Sequence, residues 1–354
     1  MENLIDRFGE GYLLLAAGVS VGLVFGIAAY HSRFCLRAAT AEFAEGVFGP
    51  RMSIWLVAFF SALVSVQVLI LIDVLDVSAA RQLAATGSLS GAIIGGLMFG
   101  CGMILARGCA SRLLVLSASG NLRAIITGLV LTLTAQAALS GVLAPTREKL
   151  ASLWTVSGGS ARYLVDLEPG TLPVVIGFSA LAVIFAFALG CKKQVRISEL
   201  IAAATVGLAI ALGWVMTYTI ANASFEVVAV QSVTFTGPST DTLMTLVNER
   251  NATLSFGLGL VPGVFVGALL TAFAKGEAKI QRFGPGVPME RYLLGGVLMG
   301  FGSMLAGGCA VGAGMSGGAI LALTAWVALF CMWIGAVVTQ LLANSRPSGG
   351  AVST

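Results

Sequence analysis

The chain has 354 residues, of which 57% are hydrophobic and only 10% charged, with a formal net charge of +4. Soluble domains carry roughly 25% charged residues to cover a water-facing surface, so composition excludes a soluble fold, and the mean hydropathy of +0.96 agrees. No basic run is long enough to track nucleic acid. One histidine, His31, and six scattered cysteines without a CxxC pair argue against a zinc site. The expected class is an all-α, polytopic membrane protein with no cofactor.

Met1 to Glu10 hold Glu2, Asp6 and Glu10 against Arg7. That is not the positive leader of a cleaved signal peptide, so the first span is expected to stay. A span needs roughly 20 mostly apolar residues. Nine stretches qualify, at about 11–30, 53–72, 89–106, 122–143, 172–191, 199–220, 254–273, 292–306 and 319–342. The third and eighth are short and rich in glycine.

Assigning alternate sides to the connections sorts the charges. One side holds Arg33, Arg37, Arg51, Arg107, Arg112, Arg123, Lys192, Lys193, Arg196, Lys275, Lys279, Arg282 and Arg291. The other mixes Asp73, Asp76, Arg81, Arg147, Glu148, Lys149, Arg162, Asp166, Glu168, Glu226, Asp241, Glu249 and Arg250. The positive-inside rule makes the first side cytoplasmic, with the N-terminus outside and the C-terminus inside. Two long outer connections, 144–171 and 221–253, contain Pro145, Pro169, Gly237 and Pro238 and are expected to fold back over the mouth of the protein.

Residues 95–110, GGLMFGCGMILARGCA, match residues 295–310, GGVLMGFGSMLAGGCA, at nine of sixteen positions without a gap. Five glycines and a cysteine in register exceed the chance likeness of apolar segments. The copies fall on spans three and eight, and an odd offset inverts the second copy in the membrane. Short, glycine-interrupted segments at corresponding places in two halves mark a transporter's binding site. The expected organisation is one transmembrane domain over 1–354. Its first half covers about 11–143, a linking span about 172–191, and an inverted second half about 199–342. A weaker echo lies in span one. Gly22 to Gly26 resemble Gly96 to Gly100, and a cysteine follows nine residues later in each, Cys35 and Cys109.

Gly108-Cys109 and Gly308-Cys309 are expected to break their helices, because glycine allows positive φ and close backbone approach. A restarted helix presents free N–H groups and a positive dipole end, which suit an anion. A cysteine at each break would put its sulfur in the pathway. A neutral thiol holds a soft anion loosely, and conduction requires binding weak enough for release. Candidate substrate residues are thus Cys35, Cys109, Cys309, Gly108 and Gly308, with Arg37 and Arg112 as attractors of the anion. Positive-inside placement accounts for those two arginines almost as well. Cys101, Cys191 and Cys331 read as packing, and His31 as an interfacial residue.

At Phe34-Cys35-Leu36-Arg37, Gly108-Cys109-Ala110-Ser111-Arg112 and Gly308-Cys309-Ala310-Val311-Gly312 the chain resembles the YeeE/YedE family of bacterial membrane proteins, the sulfur-transport domain family. The resemblance implies an hourglass-shaped inner-membrane protein with pseudo-symmetric halves. It also implies thiosulfate uptake through S–H···S contacts with three cysteines, which map onto Cys35, Cys109 and Cys309. The partners expected are a small sulfur anion, the lipid bilayer and a small cytoplasmic sulfur-carrier protein. Two other readings stay open: a membrane sulfurtransferase working through a cysteine persulfide, and an anion-binding sensor or adaptor. Driving a dianion inward against an inside-negative potential costs roughly 2.3 kcal/mol per charge per 100 mV, so coupling or rapid consumption inside is required.

Overall fold

In a computed structural model of the chain, the structure describes residues 5, 7–165, 170–248, 253–282 and 289–345. Glu2, Asp6, Asp166, Glu168, Pro169, Glu249 and Arg250, counted above, lie outside the described residues. Among the described residues, nine helical stretches are long and apolar enough to cross a membrane. The chain is an all-α, multi-pass membrane protein.

The helices are α1 (Glu10–Ser32), α2 (Leu36–Ala44), α3 (Pro50–Leu71), α4 (Arg81–Ala84), α5 (Leu89–Leu105), α6 (Ala110–Ala118) and α7 (Leu122–Ser140). They continue as α8 (Ala144–Ala151), α9 (Leu172–Lys192), α10 (Ile197–Ala223), α11 (Thr236–Asn248), α12 (Phe256–Ala274) and α13 (Met289–Leu305). A π-helix (Ala310–Gly317) and α14 (Leu323–Asn344) complete the order. Gly87–Ser88 (β1) pairs antiparallel with Thr155–Val156 (β2). Local chemistry sets several starts. Ser88, Asn121 and Ser255 accept a backbone N–H in the first turns of α5, α7 and α12, satisfying donors that would otherwise be orphaned.

Three of the nine stretches are two-part: α1 with α2, α5 with α6, and α13 with the π-helix. The fourth predicted span, 122–143, stops at Ser140 because Gly141 leaves the helix in an extended conformation. The last begins at Leu323, later than the expected 319, because Leu321 turns the chain with φ 55°. The connection 221–253 contains α11, a helix of 13 residues, too short to span and therefore not counted from hydropathy.

Helices pack in matched pairs. α1 lies on α12 and α3 on α10, while α5 lies on α14 and α7 on α13. A shift of 200 residues carries α5 onto α13 end for end and overlaps most of α3 with α12 and of α7 with α14, while α1 and α10 start 187 residues apart. At the α5–α13 crossing a Cβ on Gly95 would stand 2.5 Å from the Gly302 carbonyl oxygen. With roles exchanged, a Cβ on Gly295 would stand 2.7 Å from that of Gly102. Gly96 approaches the carbonyl of Ala328 on α14, and Gly296 approaches that of Thr127 on α7. Lipid tails are as apolar as leucine, so helices in a bilayer associate by close packing, which small residues permit. The repeated glycines are those contacts.

Candidate functional site

Each two-part stretch breaks in the same way. α1 ends with the Phe34 N–H donating to Ala29 O, α5 with Gly108 N–H to Met103 O, and α13 with Gly308 N–H to Ser303 O. This six-to-one bond closes a helix end around a left-handed residue. Those residues are Arg33 (φ 54°), Arg107 (φ 54°) and Gly307 (φ 79°), each exposed and each two positions before a cysteine. Positive φ therefore falls one residue earlier than expected: on Arg107 and not Gly108, on Gly307 and not Gly308. Gly308 is still required by close approach, since a Cβ there would lie 2.8 Å from Ala313 N. Around Gly108 a Cβ would meet only the side chains of Leu113 and Arg112, at 3.5 Å or more.

The second helix of each pair starts at the cysteine. Cys35, Cys109 and Cys309 are the N-caps of α2, α6 and the π-helix, all with extended backbones. Their carbonyls accept from Ala39, Leu113 and Ala313. All three side chains are buried, at 8%, 1% and 1% exposed. The Gly312 N–H donates to Cys309 Sγ at 3.5 Å. Cys109 closes no such cap bond, and Ser111 Oγ lies 3.3 Å from its sulfur. The break at Cys35, expected only as a weak echo, thus matches the other two in backbone form.

Two cavities flank this arrangement. One, of about 530 Å³, is lined by Tyr30, Arg33, Arg51, Arg112, Lys279 and the carboxylate of Glu277, among others. Glu277 accepts from the Tyr30 hydroxyl at 2.9 Å and pairs with Arg33 at 3.7 Å. The other cavity, of about 300 Å³, is lined by Arg81, Arg147 and Arg162, by Gln231, Ser232, Thr234 and Ser316, and by Gly307 and Gly312 beside Cys309. Both are far larger than the roughly 10–15 Å³ that a cavity needs to hold one water, so each has room for a small anion. The two long connections contribute directly: 144–165 brings Arg147 and Arg162, and 230–234 brings Ser232 and Thr234.

Sequence reasoning missed Arg147 and Arg162 as site residues, because they sit in segments read only as coverings. Arg162 is buried, donating from Nη1 to Ala85 O at 2.7 Å and from Nη2 to Thr324 Oγ1 at 2.8 Å. Burial lowers its pKa, yet a guanidinium stays protonated in proteins. Of the two candidate arginines, Arg112 lines the Arg33 cavity. Arg37 is half-buried, has an unpartnered Nε and is not among the lining residues of either cavity. His31 sits in the last turn of α1. Cys101 Sγ contacts Gly335 O at 3.6 Å, Cys331 is buried beside Gly96, and Cys191 is exposed. Among the described residues, no three His, Cys, Asp or Glu side chains come together to hold a metal.

Known proteins share this chain's length and pattern. It is 24% identical to the thiosulfate transporter TsuA of Escherichia coli, over 95% of this chain and 96% of that one. It is 27% identical to the thiosulfate transporter TsuA of Spirochaeta thermophila, over 91% of this chain and 97% of that one. The sulphur-transport family profile matches residues 31–338, a stretch that takes in the three left-handed residues, the three cysteines and, Tyr30 apart, the lining of both cavities. The chain belongs to the sulphur-transport family.

Proposed function

We propose that this protein takes up thiosulfate, or a closely related small sulfur oxyanion, across the bacterial inner membrane by relay between Cys309, Cys109 and Cys35. The observation that carries this reading is the helix break built three times over: a left-handed residue, one further residue, then a buried cysteine that starts the next helix. Each restart aims free N–H groups and a positive dipole end at the region of the sulfur. Irregular backbone at membrane depth is tolerated only where protein covers it or water lines it. The cavities supply that setting on both sides.

The positive-inside rule puts the Arg33 cavity on the cytoplasmic side and the Arg162 cavity outside. An anion drawn in by Arg81, Arg147 and Arg162 meets Cys309 first, because Gly307 and Gly312 line that cavity. Cys109, at the break between α5 and α6, is the middle station. Cys35 passes the anion to the cavity of Arg33, Arg51, Arg112 and Lys279. Neutral thiols suit the soft terminal sulfur of thiosulfate and let it go. The two halves form an inverted repeat, supported by the exchange of helix partners under the shift of 200. The names of the two relatives support the substrate.

The test is growth of a bacterium that lacks other sulfur uptake routes, with thiosulfate as its only sulfur source. The wild-type gene should restore growth, and variants with alanine at Cys35, Cys109 or Cys309 should not, at matched amounts in the membrane. Equal growth with all three variants would remove the relay.

A further inference from the structure

The span α9 is the one that the rest of the chain covers least. Of its most apolar stretch only 17% is buried, the lowest share among the nine spans, and it packs chiefly on α3. Its outward side chains are large and apolar: Val174, Phe178, Leu181 and Phe185 are 65–71% exposed. Steps of three and four residues put them on one helix face. A Cβ on Gly177, in the same stripe, would meet nothing within 4 Å. A continuous apolar surface therefore runs along α9 with no described residue over it.

That surface ends on cations. Cys191, Lys192, Lys193 and Arg196 are all exposed. The turn that carries them is fixed: Gln194 is left-handed (φ 58°), and the Val195 N–H closes the helix end on Gly190 O at 3.0 Å. Among the described residues, neither lysine nor Arg196 forms an ion pair. The nearest acid along the chain, Glu199, is half-buried in the first turn of α10. At the opposite end of α9, residues 170–173 carry no charge.

We propose that this face of α9 seats an anionic phospholipid, with its phosphate on Lys192, Lys193 and Arg196 and its acyl chains along Leu181, Ile184 and Phe185. Charge and shape select this occupant together. Each Lys or Arg at a membrane surface strengthens binding of an anionic headgroup about fivefold, and a hydrocarbon chain matches the apolar stripe that leads away from the cations. A second copy docked on α9 would be related by a two-fold axis, which places the same patch against itself. The three cations would then face their own copies, and like charges repel. A phospholipid without net charge covers the stripe but leaves the cations unmatched. Lipid binding here is independent of the transport reading and of which side of the membrane the cations face.

The experiment is native mass spectrometry of the full-length protein, purified in detergent and titrated with phosphatidylglycerol or, separately, with phosphatidylethanolamine. Wild type should hold the first phosphatidylglycerol at least tenfold more tightly than phosphatidylethanolamine. Lys193→Gln should weaken phosphatidylglycerol about fivefold, and the combined variant Lys192→Gln, Lys193→Gln, Arg196→Gln about a hundredfold, with phosphatidylethanolamine unchanged in both. Phosphatidylglycerol should also slow maleimide labelling of the exposed Cys191 in wild type. Should the combined variant unfold, the single substitution carries the test. The proposal is overturned if the two lipids bind wild type alike, if Lys193→Gln holds phosphatidylglycerol as wild type does, or if wild type pairs through α9 into a dimer that excludes the lipid.

Discussion

Residues 35 and 235 stand 200 positions apart, as 109 and 309 do, and each directly precedes a helix, yet they carry opposite chemistry. Cys35 starts α2 near the Arg33 cavity. Phe235 directly precedes α11, 1% exposed, with its ring 5.1 Å from that of Phe25. Position 235 packs an aromatic ring, and its neighbour Thr234 lines the Arg162 cavity. The cavities differ in the same sense. The Arg33 cavity contains a carboxylate, Glu277, and the lining of the Arg162 cavity contains none. The backbone form of the breaks recurs while the side chains around them differ: arginines and hydroxyls line one cavity, and the carboxylate of Glu277 stands among the cations of the other.

The comparison breaks most readily at position 235. Phe235→Ala should lower stability by about 3–5 kcal/mol, the usual cost of emptying a buried aromatic site, while the protein that remains folded keeps its apparent KM for thiosulfate. Cys35→Ala should do the reverse, with little change in unfolding temperature and flux at background. Thermal unfolding paired with uptake rates decides between packing and transport at the two positions. Loss of transport affinity in Phe235→Ala would mean that position 235 handles the anion as well.

Next in size is the glycine crossing that both halves share. Gly95→Ala and Gly295→Ala should each cost about 1–3 kcal/mol, since the added methyl forces two helix backbones apart. The two losses should be alike, because the contacts are one pair with roles exchanged. Unequal effects in denaturation would show that the halves do not bear on each other as mirror partners.

A smaller effect is expected at Glu277. Glu277→Gln keeps an acceptor for the Tyr30 hydroxyl and removes the negative charge beside Arg33. The exposed pair is worth about 0.2–1 kcal/mol, so anion affinity on the cytoplasmic side should rise up to about fivefold, with turnover falling as release slows. An unchanged ratio of turnover to KM, with both parameters fixed, would make Glu277 a latch for the 275–282 connection and nothing more. Smallest of all, Cys331→Ala and Cys101→Ser should leave uptake near wild type, as both side chains sit in helix contacts with α5 or α14.

Much of this was legible before the structure. Hydropathy and charge located the nine spans, and the shared Gly-Cys register picked out Cys109 and Cys309, because both depend on local composition. The break at Cys35 shows only as a weak echo in the sequence, since Phe34 stands where Gly108 and Gly308 advertise the other two. A left-handed arginine is set by the six-to-one closure around it and not by its own propensity. The clue was available all the same: Arg33, Arg107 and Gly307 each stand two residues before a cysteine. Arg147 and Arg162 were out of reach because their relation to Cys309 is tertiary: they lie in the connection after α7, while the cavity they line includes the turn of Gly307 and the start of the π-helix. α11 was missed because 13 residues with a modest apolar face leave no span-length signal.

The most direct test of the relay is thiosulfate uptake into proteoliposomes by wild type, Cys109→Ala, Cys309→Ala and Cys331→Ala. The account predicts flux in wild type and Cys331→Ala and none in the other two. Equal flux in all four proteins would contradict it and return the paired cysteines to packing.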